Sequence, residues 1–132
     1  MILVDSSVWI DFFNGVITPE SDYLDSILGK ENILVGDIIL VEVLQGFKSE
    51  NNFNTARKLL DEFPYRNMLG TDIALQCAKY YRHLCKKGIT TRKTIDLIIA
   101  TFCIENNIQL LFTDKDFDLL VKHLHLRNAY RK

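Results

Sequence analysis

The chain has 132 residues, 48% hydrophobic and 25% charged, which is an ordinary globular composition and enough length to bury a core. Its net charge of −1 excludes a global basic field, so any contact with nucleic acid must use a local patch. Three cysteines, Cys77, Cys85 and Cys103, without CxxC spacing, read as buried thiols in a reducing compartment rather than as a disulfide framework or a zinc site. No apolar run approaches the roughly 20 residues that cross a bilayer, so no membrane association is expected. Asp5 interrupts the N-terminal apolar stretch and no basic segment precedes it, so no signal peptide is expected either. A single domain over residues 1–132, located in the cytoplasm, is the simplest expectation.

Met1-Ile2-Leu3-Val4 reads as a buried parallel strand, followed at once by Asp5. Ser6 or Ser7 can cap a helix that begins near Val8 and closes at Gly15, and Asp5 can equally be a cap or turn residue. Thr18-Pro19 opens a second helix that Gly29 ends. Ile33-Leu34-Val35 is a second buried strand, and Asp37 is expected to cap a helix reaching towards Gly46. Asn51 to Glu62 has a helical polar face, stopped by Pro64, and Pro64 to Met68 gives a weak third strand. A long helix from Thr71-Asp72 to Lys87 carries Ile73, Ala74, Cys77, Ala78, Tyr81, Leu84 and Cys85 at the helical period. The basic connector Thr90 to Thr94 leads into a helix from Asp96 to Asn106 that is apolar on most of its surface. Such a helix is either central or packed against another subunit. Asn107 to Phe112 is a further buried strand, Asp116 to Val121 a short helix, Leu124-His125-Leu126 an edge strand, and Tyr130 to Lys132 a tail. Strands alternating with helices predict an α/β fold of three layers, α/β/α. Its central sheet should be mostly parallel, with four to five strands and every C-terminal strand end on one edge.

Asp5 and Asp114 both follow strands that end on that edge. Glu42 stands alone within Ile38-Ile39-Leu40-Val41-Glu42-Val43-Leu44, with no Lys or Arg within helical reach before Lys48. An ionised carboxylate in such a segment carries a desolvation cost or takes up a proton. Asp96, in Ile95-Asp96-Leu97-Ile98-Ile99, has the same problem unless it is a helix cap. Gathered carboxylates repel, and a divalent cation removes that penalty. Ligands that are all oxygen favour Mg2+ or its substitute Mn2+ over zinc. An ion so held can activate water and neutralise charge on a phosphate, which points to phosphodiester cleavage without a protein nucleophile.

Val4-Asp5-Ser6-Ser7-Val8, Glu42-Val43-Leu44-Gln45-Gly46, Ile95-Asp96-Leu97-Ile98-Ile99-Ala100 and Thr113-Asp114-Lys115-Asp116-Phe117 together resemble the motifs of a PIN-domain ribonuclease. Their order, spacing and small span are most similar to VapC toxins of type II toxin–antitoxin pairs, over essentially the whole chain. The resemblance implies a PIN-like fold and a Mg2+-dependent endoribonuclease. It also implies a homodimer, inhibited by a small cognate antitoxin. It makes Asp5, Glu42, Asp96 and Asp114 the catalytic metal site, with Ser6 or Ser7 as polar companion to Asp5. Asp116 is either a further ligand through water or the cap of the helix beginning at Phe117.

Arg92, Lys93 and Lys115 stand near the acidic edge and are the candidates for contact with RNA phosphates. The apolar surplus at Cys77–Cys85 and Ile98–Cys103 suggests helix surface buried between subunits. An antitoxin could lay an amphipathic helix into an apolar groove and direct a basic side chain at the acids. Two rivals stand beside this reading: a PIN-like nuclease of RNA processing or of DNA without an antitoxin, and a catalytically silent α/β interaction module whose acids are caps and surface charges. A receiver-like phosphoacceptor fits poorly, because the N-terminal acid stands alone and no Lys follows the last central strand in the required place.

Overall fold

The computed structural model describes residues 1–130; Arg131 and Lys132, the end of the expected tail, lie outside the described residues. Four strands, β1 (Ile2–Val4), β2 (Ile33–Gly36), β3 (Tyr65–Arg66) and β4 (Gln109–Leu111), form a parallel sheet in the order β3-β2-β1-β4. β1 is central: Ile2 registers with Ile33 on one side and with Gln109 on the other. Leu3, Val4, Leu34, Val35, Leu110 and Leu111 are all fully buried, because both faces of the sheet are covered. That double burial is why these strands read as unbroken apolar runs, and each such side chain contributes about 1.5–3 kcal/mol.

The helices are α1 (Ser6–Phe13), α2 (Pro19–Ile27), α3 (Asp37–Leu44), α4 (Glu50–Leu60), α5 (Thr71–Lys86), α6 (Thr94–Glu105) and α7 (Asp116–Leu124). They pack in two groups, α1 with α2, α3 and through α3 α4, and α6 with α5 and α7. Right-handed crossovers place the groups on opposite faces, which gives the expected three layers. From β1 the chain steps outward to β2 and β3, then returns past β1 to lay down β4. The direction therefore reverses between β1 and β4, and the crevice at their C-terminal ends is the natural ligand position of such a sheet.

Several local expectations are corrected. Neither Ser6 nor Ser7 caps α1; Asp5 does, its carboxylate accepting from the Ser7 N–H, and Ser6 is the first helical residue. Asp37 is not the cap of α3 but its first residue, and its Oδ1 accepts from the N–H groups of Ile38 and Met68, both at 2.9 Å. That pair of bonds ties the end of β2 to the segment after β3. Ser49, whose Oγ accepts from the Asn52 N–H, starts α4 slightly earlier than the apolar pattern suggested. Leu124-His125-Leu126 is no strand. α7 runs through Leu124, His125 reverses the chain in the left-handed region at φ 62, and contact with β4 is reduced to a bridge between Leu110 and Asn128. An apolar–polar–apolar triplet satisfies either period, and the helix continued through it. Cys85 is exposed, whereas Cys77 and Cys103 are buried, so only two of the thiols are core groups.

α6 is central: Leu97, Ile99, Ala100, Phe102 and Cys103 are buried together with Thr101, whose hydroxyl donates to the Leu97 carbonyl at 2.6 Å. α5 is two-faced. Cys77 and Leu84 enter the core, while Ala74, Leu75, Ala78 and Tyr81 face outward. On the other side of the sheet Trp9 is fully buried, stacked on Phe13 and tilted against Phe63. This aromatic packing fixes α1, and with it the orientation of the residue that caps it.

Candidate metal centre

The Asp5 N–H donates to the Leu111 carbonyl at 2.8 Å, so Asp5 is the last residue of the β1–β4 ladder as well as the cap of α1. Its side chain is 4% exposed. Ser7 holds one of its oxygens twice, by the hydroxyl at 2.6 Å and the N–H at 3.3 Å, both to Oδ2. Asp114 follows β4 in the matching position, and its Oδ1 accepts from the Asp116 N–H at 2.9 Å. That bond places Asp116 as the first residue of α7, so it does not cap a helix starting at Phe117. Asp96 sits in the first turn of α6, not at its cap, and Lys93 occupies the cap position without a side-chain bond.

Asp96, Asp114 and Asp116 each bring a carboxylate oxygen within 4.8 Å of the others. Asp5 lies close enough to Asp114 and Asp96 for their charges to act on one another, and Glu42 close enough to Asp5. Burial pushes the Asp5 carboxyl above its ordinary range despite the Ser7 donors, and Asp114 adds to the rise. Burial also raises Glu42, and Asp5 raises it further, partly offset by the Ser6 hydroxyl and Lys93. Asp96 is pushed up to about 6 by burial, against Lys93, with Asp114, Asp5 and Asp116 all adding repulsion. The structure thus groups Asp96, Asp114 and Asp116 within ligand distance of one another, with Asp5 and Glu42 near enough for charge to act between them and that group. One cation answers them among the described residues: Lys93 Nζ lies 3.4 Å from Asp114 Oδ2.

The residues fit a hard divalent cation on independent grounds. Glu42 Oε1 and Asp96 Oδ2 are buried oxygens with no hydrogen-bond partner among the described residues. Buried polar atoms are ordinarily satisfied, and two orphaned carboxylate oxygens in one acid cluster ask for a cation. The contrast with Asp37 is instructive. It too stands at a strand's C-terminal end, but its carboxylate is occupied by two backbone donors and it plays a structural part.

The candidate phosphate contacts are split. Arg92 and Lys93 wall a cavity of about 70 Å3 together with Asp96 and Asp116. Lys115 opens instead onto a separate cavity with Phe112, Asn128 and Tyr130. Sequence reasoning gave no role to Thr90, Thr91 and Leu119, which also line the first cavity. Their only signal was membership of the connector before α6 and of the first turns of α7.

A sheet of this topology with acids at its switch point defines a class, and comparison with known proteins gives the family. The PIN domain family model matches residues 2–122, and the chain belongs to that family. It is 27% identical over 131 residues to the VapC ribonuclease Mb1587 of Mycobacterium bovis, covering 98% of each chain. It is equally similar to the ribonuclease VapC11 of Mycobacterium tuberculosis. Among solved structures, VapBC2 from Rickettsia felis, bound to a DNA fragment from its promoter, superposes with a TM-score of 0.77 at 16% identity over the full length of both chains. Mycobacterium tuberculosis VapC20, a toxin that cleaves the sarcin-ricin loop, gives 0.67 at 14% identity, covering 90% of this chain and 94% of that one. These structural likenesses establish the fold as PIN-like α/β/α.

Proposed function

We propose that the chain is a Mg2+-dependent endoribonuclease, the toxin of a toxin–antitoxin pair, acting in the cytoplasm as one domain. The observation that carries this reading is the grouping of Asp96, Asp114 and Asp116 within ligand distance, with Asp5 and Glu42 close enough for their charges to act and with buried oxygens of Glu42 and Asp96 left unpartnered among the described residues. Similarity to VapC ribonucleases over nearly the whole chain supports the substrate class. The same orphaned oxygens weigh against a silent interaction module, which gains nothing from burying unpaired acids.

In this reading the five acids hold the ion, Mg2+ or in its place Mn2+, which supplies charge neutralisation at the scissile phosphate and a water of lowered pKa. Ser7 restrains the rotamer of Asp5 through two donors to Oδ2, which leaves Oδ1 free to serve as a ligand. Ser6 faces Glu42 and tempers its charge. Lys93 neutralises part of Asp114 and, with Arg92, lies where an incoming phosphate must pass. Lys115, which lines the neighbouring cavity, would meet a phosphate one step along the strand. The RNA strand is cut when water adds to phosphorus and the bridging oxygen departs with a proton.

A homodimer is supported by the outer face of α5 and α6, where Leu69, Ala74, Ala78, Tyr81 and Ile98 line an apolar groove of about 470 Å3. The solved neighbours include toxin–antitoxin complexes, which supports a small cognate antitoxin whose amphipathic helix and basic side chain would cover an apolar groove and the acids. The test is cleavage of total cellular RNA by purified protein, with Mg2+ and with EDTA. Discrete fragments that disappear with EDTA support the reading; no cutting under any divalent cation overturns it.

A further inference from the structure

The acid cluster uses none of the chain's histidines. His83, His123 and His125 nevertheless line one groove of about 530 Å3, together with Lys79 and Lys87. Among the described residues no carboxylate lines this groove, and neither lysine is in an ion pair. Tyr80 of the lining donates its hydroxyl to Glu105 at 2.6 Å. In a chain whose net charge is −1, this groove gathers two lysines and three histidines in one place.

Complementing helix ends explains only part of this placement. His83, Lys122 and His123 stand in the last turns of α5 and α7, where cations are favoured by the helix dipole. Lys79 stands well before that last turn. His125 lies beyond α7 at φ 62, a left-handed position that glycine fills most readily, so an imidazole is carried there against the local backbone preference.

The groove lies farther along the same helix that borders the acid cluster. Asp116, Leu119 and Leu120 of α7 border the cavity beside the cluster, and His123 and Leu124, on the same helical face, border the basic groove. Asp116 and Leu124 are separated by about 12 Å of helix rise. On the opposite wall Lys87 leads directly into the connector that carries Arg92 and Lys93. A strand bound at the acids and running along α7 therefore meets the basic groove next.

We propose that the groove between the C-terminal halves of α5 and α7 holds phosphates of the RNA strand beyond the scissile bond. The inference rests on the nuclease reading above and adds a second anchoring stretch to it. It is tested by fluorescence anisotropy of single-stranded RNA, a twelve-nucleotide and a three-nucleotide probe, with cutting suppressed by Asp96→Asn. Adding Lys79→Gln and Lys87→Gln is expected to weaken binding of the long probe and to lower its salt slope by about 1.4, while leaving the short probe unaffected. A second variant, His125→Gly, removes the ring at a position glycine prefers. It is expected to melt no lower than its parent and still to weaken the long probe. An unchanged salt slope for the long probe overturns the proposal, as does equal weakening of both probes. Variants that bind RNA normally but lose affinity for a poly-glutamate peptide also overturn it, since the groove would then serve an acidic protein segment. Cleavage by the unsubstituted protein is measured alongside: if it cuts no RNA the nuclease reading fails, whereas cutting with an unaltered groove slope removes only the present inference.

Discussion

Replacing Asp96 by Asn should make the metal-free protein more stable while sharply reducing its response to divalent cations. The Asp96 carboxyl is raised from 3.8 to about 6 chiefly by burial, with Asp114, Asp5 and Asp116 contributing. A rise of that size corresponds to about 3 kcal/mol between the two protonation states. Asp96 is only half-buried, so screening reduces the usable part to about 1–1.5 kcal/mol. The sign follows from linkage. A folded-state pKa above the unfolded one gives stability that is complete below about pH 3.8 and lost as pH rises through about 6. Near neutral pH without metal, the ionised Asp96 therefore weighs against the fold. Asn keeps the shape and removes the charge, so Asp96→Asn should raise the melting temperature in EDTA by about 3–5 °C at ~pH 7.5. The gain should shrink on acidification. Mg2+ at about a hundred times its dissociation constant should stabilise the unsubstituted protein by about 2.7 kcal/mol and the variant far less. Circular-dichroism melts at both pH values, with EDTA and with Mg2+, measure all of this. A variant less stable than its parent in EDTA, or one that gains as much from Mg2+, refutes the reasoning.

Three further outcomes are expected. Ser7→Ala removes the short hydroxyl donor to Asp5 and leaves only the 3.3 Å backbone N–H to restrain its rotamer, and should weaken Mn2+ binding about 10-fold in calorimetric titration with little loss of fold. Gly36→Ala would drive a methyl group into the buried Met68 side chain and should cost about 1–3 kcal/mol in urea unfolding. Tyr81→Glu, on the outward face of α5, should convert a dimer to a monomer in light scattering at micromolar concentration; a parent that is already monomeric removes the assembly proposal.

The sheet was legible because β1, β2 and β4 are buried on both faces, and that burial writes itself as Ile2-Leu3-Val4, Ile33-Leu34-Val35 and Leu110-Leu111. The acids were legible for the opposite reason. Glu42 and Asp96 interrupt apolar helices where no partner is near in sequence, and the unsatisfied oxygens are the structural form of the same anomaly. What failed was local and depended on partners distant in sequence. Asp37 reads as a cap, yet its carboxylate is claimed by Met68, thirty-one residues on. Leu124-His125-Leu126 reads as a strand, because a left-handed histidine leaves no mark in a hydrophobic pattern. α5 shows one apolar period in the sequence, but a periodicity cannot say which of its residues face the core and which face outward. The basic groove was missed because its lysines and histidines come from elements that only the tertiary fold brings together.

The central claim is that the five carboxylates form one divalent-cation site that cuts RNA. Its most direct test is anomalous scattering from crystals grown with Mn2+, read beside an RNA cleavage assay on the same preparation. The account predicts an anomalous peak among the oxygens of Asp5, Glu42, Asp96, Asp114 and Asp116, and loss of both the peak and the cutting in Asp96→Asn. RNA cleavage by a protein whose Mn2+ lies elsewhere, or that cuts unchanged after Asp96→Asn, would contradict it.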